Sequence, residues 1–201
     1  MVWDLKIGMI LVGVWAGATI FWGLKRPVVV KTEIVVPTQG VVRSEWGEPV
    51  AEFRQRITKK FFGMYITPKN SPVLPERFTG YHTGVDVEYQ EVASEVPVSA
   101  IADGIAVTSE YASGYGGVIV IKHGEIYAIY GHLRPVSMVK VGTVVKEGEQ
   151  IGVLGTGYSW ETDGERRHLH LGISKTNTIK GYVATKAELA KNWLDPLTLR
   201  K

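Results

Sequence analysis

The sequence predicts a mainly β protein, an antiparallel β-sandwich or open barrel with an N-terminal transmembrane helix and a short C-terminal helix. The strand prediction depends on short runs of β-branched and aromatic residues that are separated by glycine-containing turns. These runs lie at residues 105–111, 118–122, 126–130 and 168–173. Residues 184–192 have the clearest helical pattern, and Pro196 follows shortly after them. Many short strands with turn signals favour a sandwich or barrel over an α/β fold.

The first segment, residues 1–26, is predicted to be a membrane anchor or a signal segment. Residues 7–24 contain no charged side chain and are bounded by Lys6 and Lys25. A run of this length reaches the lower limit for crossing a hydrocarbon core of ~30 Å. Ala16 and Ala18 provide the small-x-small pattern of a cleavage site, so a cleavable signal peptide is the alternative. The apolar run continues beyond that site, which favours a retained anchor.

Two further segments complete the predicted organisation. Residues 27–60 are rich in Val, Pro and Gly at their start and are predicted to be an extended stalk or linker. Within them, Phe53 and Ile57 are spaced as on one face of a short amphipathic helix at residues 49–60. Residues 61–201 hold the predicted strands and the C-terminal helix, and form the main domain.

Composition restricts the classes of function. The chain has a net charge of +3, but removing Lys6, Lys25, Arg26 and Asp4 from its 23 basic and 20 acidic residues leaves 20 and 19. The remaining part therefore lacks the basic surface typical of nucleic-acid binding, and we expect no nucleic-acid partner. The absence of cysteine excludes a disulfide framework and a thiolate zinc site. Any bound metal must have nitrogen and oxygen ligands.

Two short motifs concentrate the residues that could bind such a metal. His82 and Asp86 are four residues apart, and His168 and His170 are two residues apart. In extended strands, both spacings place the side chains on one face. Zn²⁺ binds such ligands at roughly 2.0–2.2 Å, and a catalytic site uses three of them with one open position. Each residue alone could be an ordinary turn or core residue, but together they indicate a metal site.

The chain also resembles a known family in three blocks that occur in the same order. Residues 80–86 read GYHTGVD, residues 129–133 read IYGHL and residues 168–173 read HLHLGI. These blocks are similar to those of the lysostaphin-like (LytM-type) zinc metallopeptidases, which cleave peptide bonds in the bacterial cell wall. The resemblance extends from about residue 60 to about residue 174.

The resemblance implies a role for each motif residue. His82, Asp86 and His170 would be the Zn²⁺ ligands, His168 the general base, and His132 a second catalytic histidine that hydrogen-bonds the water or the oxyanion. Zinc can lower the pKa of a bound water towards ~7. The implied function is that of a zinc-dependent metalloendopeptidase, acting as a monomer, which hydrolyses peptidoglycan peptides by a metal-activated water.

The same family offers a second function. Some relatives have lost metal ligands and serve as non-catalytic LytM-type binding or activator modules that regulate other wall hydrolases. A degenerate module is expected to lack at least one of the five motif residues, and this chain has all of them. This favours an enzyme.

The segment before His168 departs from the family pattern. Family members carry small residues there, whereas this chain has Arg166 and Arg167. One hypothesis is that these two arginines bind the carboxylates of wall peptides. Asp163 and Glu165 are alternative ligands, although a solvated loop with internal ion pairs is the preferred interpretation. The fifth histidine, His123, is expected to be a strand-end residue without a role in the site.

The location of the main domain follows from two opposing signals. The positive-inside rule places Lys25 and Arg26, and with them the bulk of the chain, in the cytoplasm. Wall hydrolysis requires the bulk of the chain outside. We follow the catalytic motifs and expect a membrane-anchored protein whose catalytic domain is extracytoplasmic, or a secreted protein if the N-terminal segment is cleaved.

Overall fold

The structure, a computed structural model, describes residues 46–199. Within this range no helix is long and apolar enough to cross a membrane. The predicted membrane span at residues 7–24 lies outside the described residues.

The described chain is built mainly of short β-strands. The strands are β1 (Tyr65–Ile66), β2 (Gly80–His82), β3 (Gly84–Glu88), β4 (Pro97–Ser99), β5 (Gly104–Ala112), β6 (Gly116–His123), β7 (Ile126–Leu133), β8 (Val144–Val145), β9 (Gln150–Val153), β10 (His168–Ser174), β11 (Tyr182–Val183) and β12 (Trp193–Leu194). One α-helix, α1 (Lys186–Asn192), lies near the C-terminus. Short 3₁₀ turns occur at Pro135–Ser137, Trp160–Thr162 and Pro196–Thr198.

The strands form one large sheet and two small ones. The large sheet has the order β12-β10-β7-β6-β5-β8, and β3 pairs with β10 beside β12. The small sheets are β1-β2-β11 and β4-β9. All the pairs formed by these strands are antiparallel, which confirms the predicted mainly β, antiparallel fold. The predicted C-terminal helix is confirmed as α1, which Thr185 caps by accepting a hydrogen bond from the backbone N–H of Glu188.

Both faces of the large sheet are buried at its centre. Alternate residues of a strand point to opposite faces. Along β6, Val118 and Val120 belong to one apolar cluster, and Ile119 and Ile121 belong to the other. The strand therefore has a continuous run of apolar residues, as expected for a strand that is covered on both sides.

The described part of the predicted stalk is packed against the domain. Val50, Phe53 and Ile57 are buried in the larger apolar cluster. Residues 51–56 form a series of turns and not the short helix that was predicted. The spacing of Phe53 and Ile57 correctly identified two buried side chains, but packing against the sheet replaces helical hydrogen bonding. Residues 46–60 thus lie against the core and do not form an extended linker, whereas residues 27–45 of the predicted stalk lie outside the described residues.

Candidate metal centre

Three of the predicted site residues bring one ligand atom each to a common point. His82 Nε2 lies 3.2 Å from Asp86 Oδ1 and 3.1 Å from His170 Nδ1. His170 Nδ1 is 3.1 Å from Asp86 Oδ1. All three side chains are buried. The structure therefore brings together the ligand set that the family resemblance implied.

The antiparallel pairing of three strands creates this convergence. His82 ends β2, and after Thr83 the chain continues into β3, which carries Asp86. Asp86 is the register partner of His170 on β10, and His170 is paired on its other side with Gly131 of β7. The next residue of β7 is His132. Strand register thus places both sequence motifs and the IYGHL block of residues 129–133 around one site.

The trio has the geometry and chemistry of a zinc site. Bonds of roughly 2.0–2.2 Å in a tetrahedron place neighbouring ligand atoms about 3.3–3.6 Å apart, slightly farther than the separations of 3.1–3.2 Å observed here. Burial lowers the pKa of His170, which favours the neutral imidazole that binds metal. Burial raises the pKa of Asp86, but electrostatic and hydrogen-bond contacts with the surrounding histidines outweigh burial, and the pKa is held well below its usual value. Two imidazoles and one carboxylate therefore fit Zn²⁺.

His168 is oriented as a hydrogen-bond acceptor beside the trio. Its Nδ1 lies 2.8 Å from the backbone carbonyl oxygen of Arg166. A carbonyl only accepts, so Nδ1 carries the proton and Nε2 keeps its lone pair. This Nε2 is 3.4 Å from Asp86 Oδ2. Burial, assisted by the charge of Arg166, lowers the pKa of His168 well below its usual value. The side chain is thus a neutral imidazole with a free basic nitrogen.

His132 completes the group of histidines. Its ring centroid is 4.1 Å from that of His168 and 5.9 Å from that of Tyr115. The backbone of His132 has a φ of 64°, a left-handed conformation that is uncommon for a residue other than glycine. Burial lowers the pKa of His132 to about 3. The ring is therefore neutral near pH 7.

The site opens into a cleft of ≈ 660 Å³. All five predicted residues line this cleft. Its volume falls within the range of pockets that bind small ligands or a few residues of a peptide. Among the other lining residues are Lys60, Tyr115, Arg166 and Tyr182. The sequence assigns no role to Lys60, Tyr115 or Tyr182, and the role considered for Arg166 is a different one.

Tyr115 supports the histidines from one side. Its ring packs edge-on against His170, with centroids 5.3 Å apart. A Cβ at Gly131 would lie 2.3 Å from Cδ1 of Tyr115, so the ring occupies space that only glycine leaves free. Tyr115 belongs to the glycine-rich segment 113–117, which leads into β6. A tyrosine within such a turn gives no sequence signal of this packing.

Lys60 and Tyr182 form a polar wall next to His82. Lys60 Nζ donates to Glu76 Oε2 at 2.6 Å and to the Tyr182 hydroxyl at 2.9 Å. The ring centroids of Tyr182 and His82 are 5.3 Å apart. Tyr182 follows the third block and Lys60 precedes the first, so both lie outside the sequence motifs. Their role becomes visible only in the folded chain.

The remaining candidates lie outside the ligand set. His123 ends β6, as predicted, and its Nδ1 contacts the backbone oxygen of Asp103 at 2.9 Å. Asp163 and Glu165 form ion pairs with Arg77 at 3.3 and 2.9 Å. The loop does form ion pairs, but the prediction that they are internal to it is wrong, because the cation comes from outside the loop.

Both arginines before His168 are held within the protein. Arg166 contacts Asp86 and Glu88. Arg167 donates to the backbone oxygen of Val92. These internal contacts disfavour the hypothesis that the two guanidinium groups receive substrate carboxylates.

The chain was compared with known protein families, curated proteins and solved structures. Residues 80–181 match the family described as Peptidase family M23. The chain is 42% identical over 81 residues to an uncharacterized metalloprotease of Haemophilus influenzae, covering 39% of this chain and 16% of that protein. It is 37% identical over 60 residues to the murein hydrolase activator EnvC of Escherichia coli, covering 29% of this chain and 14% of that protein.

The structural comparison concerns the fold alone. The crystal structure of cbpa from L. salivarius REN matches with a TM-score of 0.50 and 22% identity, covering 76% of this chain and 92% of that chain. Both curated relatives are much longer than the region that matches. The chain aligns with less than a fifth of the length of either protein named above.

Proposed function

The chain belongs to peptidase family M23, and we propose that it is a zinc-dependent metalloendopeptidase that hydrolyses peptide bonds of bacterial peptidoglycan. The observation that supports this proposal most strongly is the convergence of His82, Asp86 and His170 in a cleft that also holds two further histidines. A binding module needs a groove, but it does not need a basic imidazole beside a metal-binding trio.

The trio would hold the metal. His82 Nε2, Asp86 Oδ1 and His170 Nδ1 would be the ligand atoms. Zn²⁺ in such a site supplies Lewis acidity, which polarises a carbonyl and makes water more acidic. Three protein ligands leave a further coordination position open, which is the arrangement of catalytic and not of structural zinc sites.

His168 would act as the general base. The backbone of Arg166 fixes its proton on Nδ1, so Nε2 can take a proton from the attacking water. The lowered pKa of His168 keeps this nitrogen free near pH 7. The Nδ1 hydrogen bond also fixes the ring orientation, which keeps Nε2 directed towards the carboxylate of Asp86.

His132 would stabilise the charge that develops on the substrate oxygen. Its neutral ring lies against His168 at the wall of the cleft. A well-placed neutral donor at such a position contributes ~3 kcal/mol to transition-state stabilisation. The left-handed backbone of His132 follows Gly131 directly, so the end of β7 is shaped to direct this ring towards the site.

The substrate class and the location are proposals that rest on family membership and on sequence. We propose that the substrates are peptides of peptidoglycan and that the protein acts as a monomer. The apolar segment at residues 7–24 would anchor the protein in the membrane, with the catalytic domain on the extracytoplasmic side.

An activator role is the second candidate. The similarity to the murein hydrolase activator EnvC favours it. In that case the chain would bind a wall hydrolase and increase its activity, and the histidines beside the trio would not contribute. The complete set of five residues argues for catalysis.

One experiment separates the two functions. The full chain, purified in detergent, is analysed for metal content and is then incubated with purified peptidoglycan with and without a chelator. An endopeptidase contains one zinc and releases peptides with new amino termini, and both the chelator and His168→Ala stop the release. An activator releases nothing alone but stimulates an added wall hydrolase, and His168→Ala retains this stimulation.

A further inference from the structure

The two carboxylate oxygens of Asp86 have different surroundings. Oδ1 faces the nitrogens of His82 and His170 at 3.2 and 3.1 Å. Oδ2 accepts a hydrogen bond of 2.9 Å from Nη2 of Arg166. The side chain of Asp86 is only 3% exposed, so water does not compete for these contacts. One oxygen thus belongs to the metal-binding trio, and the other is bound by a guanidinium group.

Glu88 fixes the position of that guanidinium group. Arg166 Nε donates to Glu88 Oε2 at 2.9 Å, and Nη2 donates to Glu88 Oε1 at 2.6 Å. Two parallel hydrogen bonds of this kind give geometric specificity as well as binding energy. Asp86 and Glu88 are two residues apart on β3, so both point to the face on which Arg166 lies. Arg166 is 2% exposed, and its position is therefore defined by these two carboxylates.

We propose that Arg166, held by Glu88, is a positioning residue that keeps Asp86 a one-oxygen metal ligand. A carboxylate can bind a metal through one or both of its oxygens. If Oδ2 also approached the metal, it would take the position that a catalytic site leaves open. The hydrogen bond from Arg166 to Oδ2 opposes the rotation of the Asp86 carboxylate that such an approach requires. The positive charge of Arg166 balances one of the two adjacent buried carboxylates. The inference rests on the proposed metal site, but it does not depend on the reaction catalysed there.

The arrangement also connects the ligand to the proposed base. The side chain of Arg166 contacts Asp86. The backbone oxygen of Arg166 accepts a hydrogen bond from the protonated Nδ1 of His168. These two contacts give Arg166 a structural role that the sequence of its loop did not reveal. Arg167 makes no such contact, because its guanidinium group donates to the backbone of Val92. This difference makes Arg167 a matched control.

The test measures metal binding and coordination, not hydrolysis. The full chain and its variants are loaded with Zn²⁺, and the dissociation constant is determined by competition with a chromophoric chelator. The same proteins loaded with Co²⁺ are examined by visible absorption, whose intensity falls when coordination rises above four. The variants are Arg166→Met, the charge-compensated Arg166→Met/Glu88→Gln, Arg166→Lys and the control Arg167→Met.

We expect Arg166→Met and the double variant to weaken metal binding about 10–100-fold, the usual effect of removing a hydrogen-bond partner of a ligand. Their Co²⁺ absorption should become weaker than that of the wild type. Arg166→Lys should lie between, because a single ammonium cannot hold both carboxylates. Arg167→Met should match the wild type.

The proposal is overturned if the folded double variant binds Zn²⁺ as the wild type does and keeps the wild-type Co²⁺ spectrum. The double variant decides the matter even if Arg166→Met fails to fold, because it removes the carboxylate at position 88 together with the guanidinium group that binds it, and Lys59 remains as a cation near that position. A wild-type protein that binds zinc without cleaving peptidoglycan would contradict the proposed enzyme and would leave this inference intact. A wild-type protein that binds no metal would overturn both.

Discussion

Asp86 on β3 and His170 on β10 are a directly opposed cross-strand pair, and their side chains meet at 3.1 Å. The register of these two strands therefore determines the site. A slip of one residue would turn either side chain to the opposite face of the sheet. Both strands are buried along their whole length. Such a slip would therefore bring apolar side chains into the polar site and polar side chains into the apolar core. The core thus protects the geometry of the ligand set.

The two histidines of β10 are predicted to have separable roles. His170→Ala should remove a ligand and lose the bound zinc. His168→Ala should retain zinc, because His168 is not in the trio, but should lower kcat/KM by about 10²–10⁴-fold, the usual contribution of a general base. Metal analysis and peptidoglycan digestion of both variants test this. Near-wild-type turnover in the His168 variant, or loss of its zinc, would contradict the assignment.

Gly84 is predicted to be required for the approach of β3 to β10. A Cβ at this position would lie 2.3 Å from the backbone oxygen of Leu171 and 2.9 Å from Nε2 of His170. Gly84→Ala should destabilise the protein by about 1–3 kcal/mol or more, as overpacking does, and should weaken metal binding by displacing His170. Urea unfolding and zinc affinity measure the two effects.

Gly152 of β9 provides the control for that substitution. A Cβ there would find its nearest neighbour at 3.5 Å, which is an ordinary contact. Gly152→Ala should leave zinc affinity unchanged. If the two alanine variants behaved alike, the close approach at Gly84 would not be the cause.

The sequence predicted the residues of the candidate metal centre better than their supporting contacts. His168 and His170 could be found because their spacing of two residues matches the period of a strand. The same argument placed His82 and Asp86 on one strand, but His82 ends β2 and Asp86 lies on β3, so the strand period does not explain their convergence. Arg166 could not be assigned, since its partner Glu88 lies 78 residues away and an arginine in a polar loop usually faces solvent. The same holds for Lys60, which contacts Tyr182 across 122 residues.

The packing of residues 46–60, which the stalk prediction did not anticipate, has a different origin. Val, Pro and Gly near residues 27–50 suggested an extended chain, and composition alone cannot show which apolar residues find a surface to cover. Val50, Phe53 and Ile57 are buried because the large sheet offers an apolar face to them. Burial of this kind is a tertiary effect, and it replaced the local helix that the spacing of Phe53 and Ile57 favoured.

His132 is predicted to make the metal-free protein less stable in acid. Its pKa is about 3 in the folded chain because of burial, and about 6.5 when unfolded. Between these values the unfolded chain binds a proton that the folded chain does not. Stability should therefore fall as the pH decreases from about 6.5, by up to about 1.4 kcal/mol per pH unit for this residue.

The measurement compares the wild type with His132→Asn, because asparagine tolerates the left-handed backbone at this position. Urea unfolding is followed from pH 8 to pH 5 with a chelator present. The variant should lose less stability below pH 6.5, and the two curves should be parallel above pH 7.5. Curves that remain parallel over the whole range would show that His132 is not the group responsible.

Lys60 and Glu76 form a buried ion pair whose two members are predicted to depend on each other. Their side chains are 4% and 2% exposed, and Nζ lies 2.6 Å from Oε2. Burial raises the pKa of Glu76, but the hydrogen bond from Lys60 opposes it, and the net pKa is lowered. Lys60→Met should therefore leave an uncompensated carboxylate and cost about 3–5 kcal/mol in the free energy of unfolding.

The double variant Lys60→Met/Glu76→Gln separates the charge effect from the loss of packing. Removing both charges should recover much of the stability lost in Lys60→Met, because no buried ion remains without a partner. Equal losses in the single and double variants would show that the two charges do not interact. Lys60 also donates to the hydroxyl of Tyr182 in the cleft wall. The loss of Lys60 should therefore alter KM for peptidoglycan peptides even in the stabilised double variant. The zinc content should remain that of the wild type, because neither Lys60 nor Glu76 belongs to the trio of His82, Asp86 and His170.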